Sequence, residues 1–286
     1  MFSLLNLIRS KYENSALLRL AHGFTLSCHY KHRQATLESD EPDSTPICTT
    51  VRLRTMISAT RSIFPYTLFS CKDSTMSASR ITFYSNPQSR AAVIHWMLEE
   101  LGEPYETIYL NYQGAMKTPE YLAVNPMGKV PAIVHDGQVV TEGAAICAFL
   151  ADQYPQKNLA PATDSPLRGT YYRWLFFAAG PLEEAITMTS LKMPIPADKS
   201  AMLGFGTLAR TVDVLEQAVS GSNWICGEQF TAADVYVGSA IRFYMLFGVL
   251  EARPAFKAYV DRLTQRPAYQ RSLKILEQAA ATQQKQ

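Results

Sequence analysis

Three short stretches of the 286-residue chain carry groups whose types and spacing suit chemistry. The first is Tyr84-Ser85-Asn86-Pro87-Gln88-Ser89-Arg90, where a strand pattern gives way to a helical one. Aligned N–H groups at a helix start, joined by a hydroxyl, stabilise a thiolate. Ser85 and Ser89 both lie where that hydroxyl is wanted, although each also reads as local structure, Ser85 as a turn residue and Ser89 as an N-cap. The second stretch is Val130-Pro131, ahead of an apolar strand pattern. A proline there removes a ladder donor, which predicts a sheet edge or a special turn, often with a cis bond, and leaves the Val130 amide and carbonyl free to pair elsewhere. The third is Thr141-Glu142-Gly143, a carboxylate at a helix start. Helix amides attract an anion and Glu142 a cation, so an amino-acid head group followed by an extended peptide backbone would satisfy the second and third stretches together. The same residues also read as a plain hairpin followed by a capped helix.

The elements that position these groups follow from periodicity. Ile81–Tyr84 reads as a strand, and Arg90–Leu101 as a helix with Val93, Ile94, Met97 and Leu101 inward and Gly102 as its stop. Tyr105–Leu110 is a second strand, Pro119–Leu122 a helical turn, and Val130–Val134 a third strand. Asp136-Gly137 predicts a type I′ hairpin into Gln138–Val140, and a helix follows from Glu142. The order βαβ-α-ββα describes a small mixed α/β sheet domain over residues 80–154. Two prolines within Tyr154–Pro161 mark a linker over 155–164. Residues 165–280 contain no convincing strand and read as an all-α bundle. Its helices are expected over Leu167–Met188 and Ser200–Val219, then from a Thr231/Asp234 capping box, and after Pro254 and Pro267, with a frayed tail from Ala279.

Composition narrows the function classes. A net charge of +2 offers no electrostatic case for nucleic acid or an anionic membrane surface. Five scattered cysteines, an odd number without a CxxC pair, argue against a disulfide framework and for a reducing, cytoplasmic setting. The spacing of His, Cys, Asp and Glu predicts no metal site. His95 and Trp96 are expected on the domain surface or at an interface, and Cys147 in the core. Residues 1–75 differ from the rest, with nine Lys/Arg against six Asp/Glu and an acidic, serine-bearing run at Glu38–Ser44. They are expected to form an extension with little fixed structure, with a targeting presequence as the rival reading.

Asn125-Pro126-Met127-Gly128-Lys129-Val130-Pro131 together with Thr141-Glu142-Gly143-Ala144-Ala145-Ile146, followed by a helical bundle carrying Phe230-Thr231-Ala232-Ala233-Asp234, resembles the cytosolic glutathione S-transferases from about Ile81 to Leu276. In motif it is most similar to the bacterial beta class. The resemblance implies a thioredoxin-like first domain, glutathione as co-substrate with no metal, and conjugation of its thiolate to small hydrophobic electrophiles. It also implies a homodimer. A glutathione-dependent disulfide reductase and a non-catalytic glutathione-binding protein are the alternatives. By resemblance, Val130 ahead of cis-Pro131 pairs with the cysteinyl backbone, Glu142 holds the γ-glutamyl ammonium and the Gly143 amide its carboxylate, where many relatives have serine. Lys129 suits a glutathione carboxylate by its charge. The beta-class cysteine falls on Ser89 when Tyr84 is aligned, whereas classes that use serine place it near Ser85, with Asn86 as the neighbouring choice. Glu183-Glu184 stand where beta-class relatives present a His-Lys pair. Tyr171, Trp174 and Leu182–Met188 are expected to line the electrophile pocket.

Overall fold

The computed structural model describes residues 80–112 and 114–283. The extension expected over residues 1–75 lies outside the described residues. Strand β1 (Ile81–Ser85) alternates strictly, with Ile81, Phe83 and Ser85 fully buried and Thr82 and Tyr84 half-buried on the other face. Helix α1 spans Ala92–Leu101, and Gly102 ends it at φ 68°, its N–H donating to the Leu98 carbonyl. Strand β2 (Tyr105–Tyr109) pairs parallel with β1, Ile81 opposite Tyr105. After a 3-10 turn at Ala115–Lys117 comes helix α2 (Pro119–Val124), then β3 (Ala132–His135), β4 (Gln138–Thr141) and helix α3 (Gly143–Gln153). Asp136 (φ 48°) and Gly137 (φ 83°) both take the positive φ that a type I′ turn requires.

The sheet order is β2-β1-β3-β4, with β3 antiparallel to both neighbours. Of the two placements expected for Pro131, the sheet edge is excluded and the special turn holds, because Pro131 leads into an inner strand. The first paired residue is Ala132, so the missing proline N–H costs no ladder bond, and the Val130-Pro131 peptide is cis. The start of α1 is also later than Ser89 and Arg90 suggest. A run of tight i→i+3 bonds, from Ser89 N–H to the Asn86 carbonyl through Ile94 N–H to the Ala91 carbonyl, leads into the α-helical ladder.

The second layer is helical. It comprises α4 (Leu167–Phe177), a π-helical turn at Ala178–Leu182, α5 (Glu183–Ser190), α6 (Leu208–Ser220), α7 (Ala232–Leu246), α8 (Pro254–Thr264) and α9 (Pro267–Gln283). The single helix expected over Leu167–Met188 is therefore interrupted, because Pro181 has no N–H for the ladder and the backbone widens around it. The helix expected from Ser200 begins only at Leu208, where the Thr207 side chain accepts from the Arg210 N–H. The tail from Ala279 remains helical as far as Gln283.

Helix α1 is the shared wall of the two layers. Trp96 meets Tyr269 edge-on at 5.0 Å, Arg266 grips Glu100 through two bonds of 2.6 and 2.8 Å, and Arg271 reaches Glu99 at 2.7 Å. His95, expected at a surface or interface, is instead wholly buried under the sheet, its ring 4.7 Å from Phe83. Cys147 and Cys226 are both buried and unpaired, and burial pushes the Cys226 thiol up to about 12. Among the described residues no helix is long and apolar enough to cross a membrane, and no cluster of His, Cys, Asp or Glu could hold a metal.

Candidate functional site

Strand register brings the three stretches together. Ala132 pairs with Tyr84 on one side and with Thr141 on the other. The residues just beyond this row are therefore Ser85–Arg90 after β1, Val130-Pro131 before β3 and Glu142-Gly143 after β4. All three leave the sheet at the same end.

The loop before β3 is held from three sides. Asn125 Nδ2 donates to the Lys129 carbonyl at 2.8 Å, and the Tyr121 hydroxyl donates to the same oxygen. The Asn125 side-chain oxygen takes the Met127 N–H at 3.0 Å, and Lys117 Nζ reaches the Met127 and Gly128 carbonyls at 3.3 and 3.1 Å. These clamps hold the loop that carries Val130, which lies outside the ladder, and among the described residues its N–H and C=O make no backbone bond. Lys129 is exposed beside it. Tyr121 and Lys117 escape notice in the sequence, because nothing local announces that a helix residue and a 3-10 lysine will latch a loop eight to eleven residues away.

Glu142 is exposed and carries φ 66°, ψ 120°, strained for a residue with a β-carbon. Its side chain does not cap its own helix, so the carboxylate is left facing outward beside the first amides of α3. A β-carbon on Gly143 would lie 3.0 Å from Tyr236 Cε2. The Tyr236 ring thus occupies the space that a serine at this position would need.

The serines part company. Ser89 is half-buried at the opening of the turn, its hydroxyl donating to the Asn86 carbonyl at 2.7 Å and accepting from the Ala91 N–H at 3.1 Å. Ser85 points the other way. It is fully buried, its Oγ 3.3 Å from His95 Nε2, which also lies 3.4 Å from the Tyr109 hydroxyl. Its inward strand position turns it toward the core and away from the loop surface, so the exposed hydroxyl expected of it in the sequence is corrected to a buried one. Asn86 is equally committed, with Nδ2 donating to the Leu110 carbonyl at 2.8 Å and Oδ1 accepting the Gln88 N–H at 2.9 Å. Tyr84 lies on the opposite face of the sheet, its ring 5.4 Å from Tyr121, where the two help line a shallow cavity of about 210 Å³.

The expected electrophile wall is also corrected. Tyr171 and Leu182 are fully buried and Trp174 and Ile186 nearly so, which makes them core rather than an open pocket. Glu183, at the start of α5, instead faces Arg90 across the layers, 2.7 Å from its Nη1.

Comparison with known proteins agrees with this geometry. Residues 89–153 match the profile of the glutathione S-transferase N-terminal domain, and residues 180–267 that of the C-terminal domain. Glutathione S-transferase GstA of Escherichia coli O157:H7 is 30% identical over 195 residues, 67% of this chain and 96% of that protein. A glutathione transferase from Methylococcus capsulatus superposes with a TM-score of 0.58 at 28% identity, covering 69% of this chain and 98% of its own. A sphingomonad glutathione S-transferase solved in complex with glutathione gives a TM-score of 0.57 at 28% identity, with 68% and 98% covered. On its fold, its site geometry and these matches, the chain belongs to the glutathione S-transferase family.

Proposed function

We propose that this protein binds glutathione at the end of its sheet and transfers the thiolate to small hydrophobic electrophiles. The observation that carries the reading is Val130. Its backbone donor and acceptor are presented outside the ladder at a cis-proline, one strand away from the Glu142 carboxylate and the α3 amides. An extended cysteinyl unit pairs with Val130, the γ-glutamyl ammonium reaches Glu142, its carboxylate meets the Gly143 amide, and Lys129 takes a further carboxylate. Ser89, the accessible hydroxyl of the junction, then serves the sulfur together with the amides of the turn. Lowering the thiol from a pKa of about 9 to about 6.5 corresponds to about 3.4 kcal/mol in favour of thiolate, a sum within reach of charge-assisted hydrogen bonds.

The two cysteines among the described residues are buried, which favours conjugation over a disulfide exchange that uses a protein thiol. A soft thiolate suits a soft, apolar electrophile. On α4, Tyr172 (39% exposed) and Phe176 (71% exposed) stand one turn apart and support docking of a second copy into a homodimer. Turnover of a chlorinated dinitrobenzene with glutathione tests the function. Activity that falls at least tenfold in Ser89→Ala but persists in Ser85→Ala supports the reading, and absence of both glutathione binding and turnover sinks it.

A further inference from the structure

Arg90 reaches from the turn before α1 to the helical layer, its Nη1 2.7 Å from Glu183 Oε1. The Tyr244 hydroxyl on α7, almost wholly buried, lies beside the same guanidinium, whose charge works against the rise in its pKa that burial imposes. Glu183 owes its direction to the π-turn at Ala178–Leu182, since each residue added to a helical turn rotates everything after it by about 100°. Gly180-Pro181 thus aims a carboxylate at the cation that follows Ser89.

Ser89 alone is a limited source of thiolate stabilisation. Its one hydroxyl proton is engaged with the Asn86 carbonyl at 2.7 Å, so a sulfur must compete for it. Arg90 is the next residue, and among the described residues its own N–H donates to no backbone or side-chain acceptor. The other titratable groups around this end of the sheet include Glu184 on α5, Tyr236 and Tyr244 on α7, Glu142 before α3, Lys129 and Lys117 at the loop before β3, and His95 and Tyr109 under Ser85. Burial pushes Tyr236 and Tyr244 above the ordinary phenol range, so they stay neutral near pH 7. Glu184, Glu142 and Lys129 are exposed, and none makes an ion pair among the described residues. Lys117 is held by the Met127 and Gly128 carbonyls of the loop before β3, and Arg90 and Glu183 hold one another.

We propose that the Arg90–Glu183 pair sets the ionisation of glutathione's thiol, Arg90 favouring thiolate and Glu183 both anchoring Arg90 and opposing it. The proposal rests on the glutathione reading above. Arg90 is a positioning and charge-setting residue in this scheme. A unit charge some 6 Å from the sulfur at an effective dielectric of about 40 is worth about one pKa unit.

The test is a pH titration of the thiolate ultraviolet band of glutathione bound to the full chain, for the natural protein and three variants. Arg90→Met is expected to raise the thiol pKa by about one unit, with about a tenfold loss of thiolate below it. Glu183→Gln, which keeps an acceptor for Nη1 but removes the charge, is expected to lower the pKa by about half a unit. Arg90→Lys is expected to restore it to within a few tenths of a unit of the natural value. A pair that merely ties the layers together would lower the melting temperature in Arg90→Met and Glu183→Gln and leave the pKa in place. That outcome, or shifts of the same sign in both, overturns the inference, and the two conservative variants keep it testable even if Arg90→Met folds poorly. Natural protein that gives no thiolate band with glutathione overturns the parent reading, whereas a band that no variant moves overturns this inference alone.

Discussion

The backbone carbonyl of Met116 lies 2.6 Å from the point where a β-carbon on Gly128 would stand. Gly128 itself turns at φ 58°, in the left-handed region that a β-carbon disfavours. Substitution must therefore displace the 3-10 turn at Ala115–Lys117 and loosen the clamp on Val130. Gly128→Ala is predicted to cost about 2–4 kcal/mol by denaturant unfolding and to weaken glutathione binding at least tenfold. Unchanged stability would show that the turn yields freely.

Glu142 holds φ 66° without the excuse of being glycine, and strain of that kind costs about 1–3 kcal/mol. If the strain is kept for ligand binding, Glu142→Gly should be slightly more stable than the natural protein and bind glutathione at least tenfold more weakly. Calorimetric melting and glutathione titration on the same sample separate the two effects. A variant that loses stability and keeps affinity would contradict the role assigned to this carboxylate.

Burial pushes the His95 imidazole down to about 4, with Glu99 pulling weakly the other way. A base depressed in the folded state contributes stability above its unfolded pKa of 6.5 and loses it as the pH falls toward 4, because the unfolded chain takes up a proton that the folded one refuses. The contribution totals about 3 kcal/mol over that window. Denaturant unfolding between about pH 7 and pH 4.5 should show a flatter pH dependence for His95→Phe than for the natural protein. Parallel curves would mean that His95 accepts its proton in place.

The Asp234 carboxylate collects four bonds at the start of α7. Oδ1 accepts from the Ile225 N–H at 2.8 Å and the Tyr259 hydroxyl at 2.7 Å, and Oδ2 from the Thr231 N–H at 2.8 Å and its hydroxyl at 3.1 Å. Asp234→Ala leaves these buried donors without an acceptor and is predicted to cost about 3–5 kcal/mol, read as a melting temperature lowered by roughly 10 °C. Thr231→Ala should lose less, about 1–2 kcal/mol, because the carboxylate keeps its other partners.

The order of elements was legible because it rests on local signals. The strand residues Ile81–Tyr84, Asp136-Gly137 at the hairpin, Gly102 as a helix stop and the Thr231/Asp234 box each act within a few residues. What escaped depends on distant partners. Ser85 and Ser89 are chemically alike in the sequence, and only the pairing of β1 with β2 and β3 turns Ser85 toward His95. For Pro131 the sequence leaves a sheet edge and a special, often cis, turn both open, and only the start of pairing at Ala132 and the cis Val130-Pro131 peptide decide for the second. The aromatic residues of α4 resembled a pocket wall, since an amphipathic pattern marks a buried face without saying what buries it. Gly180-Pro181 was the available signal for the break before Glu183, and with it for the contact to Arg90.

A crystal structure of the protein soaked with glutathione tests the central claim most directly. The account predicts that the cysteinyl amide and carbonyl pair with the Val130 C=O and N–H, that the γ-glutamyl ammonium meets Glu142, and that the sulfur lies within hydrogen-bond distance of Ser89 Oγ or the Arg90 amide. Glutathione bound elsewhere, or a sulfur directed to the Tyr84 face of the sheet, would contradict it.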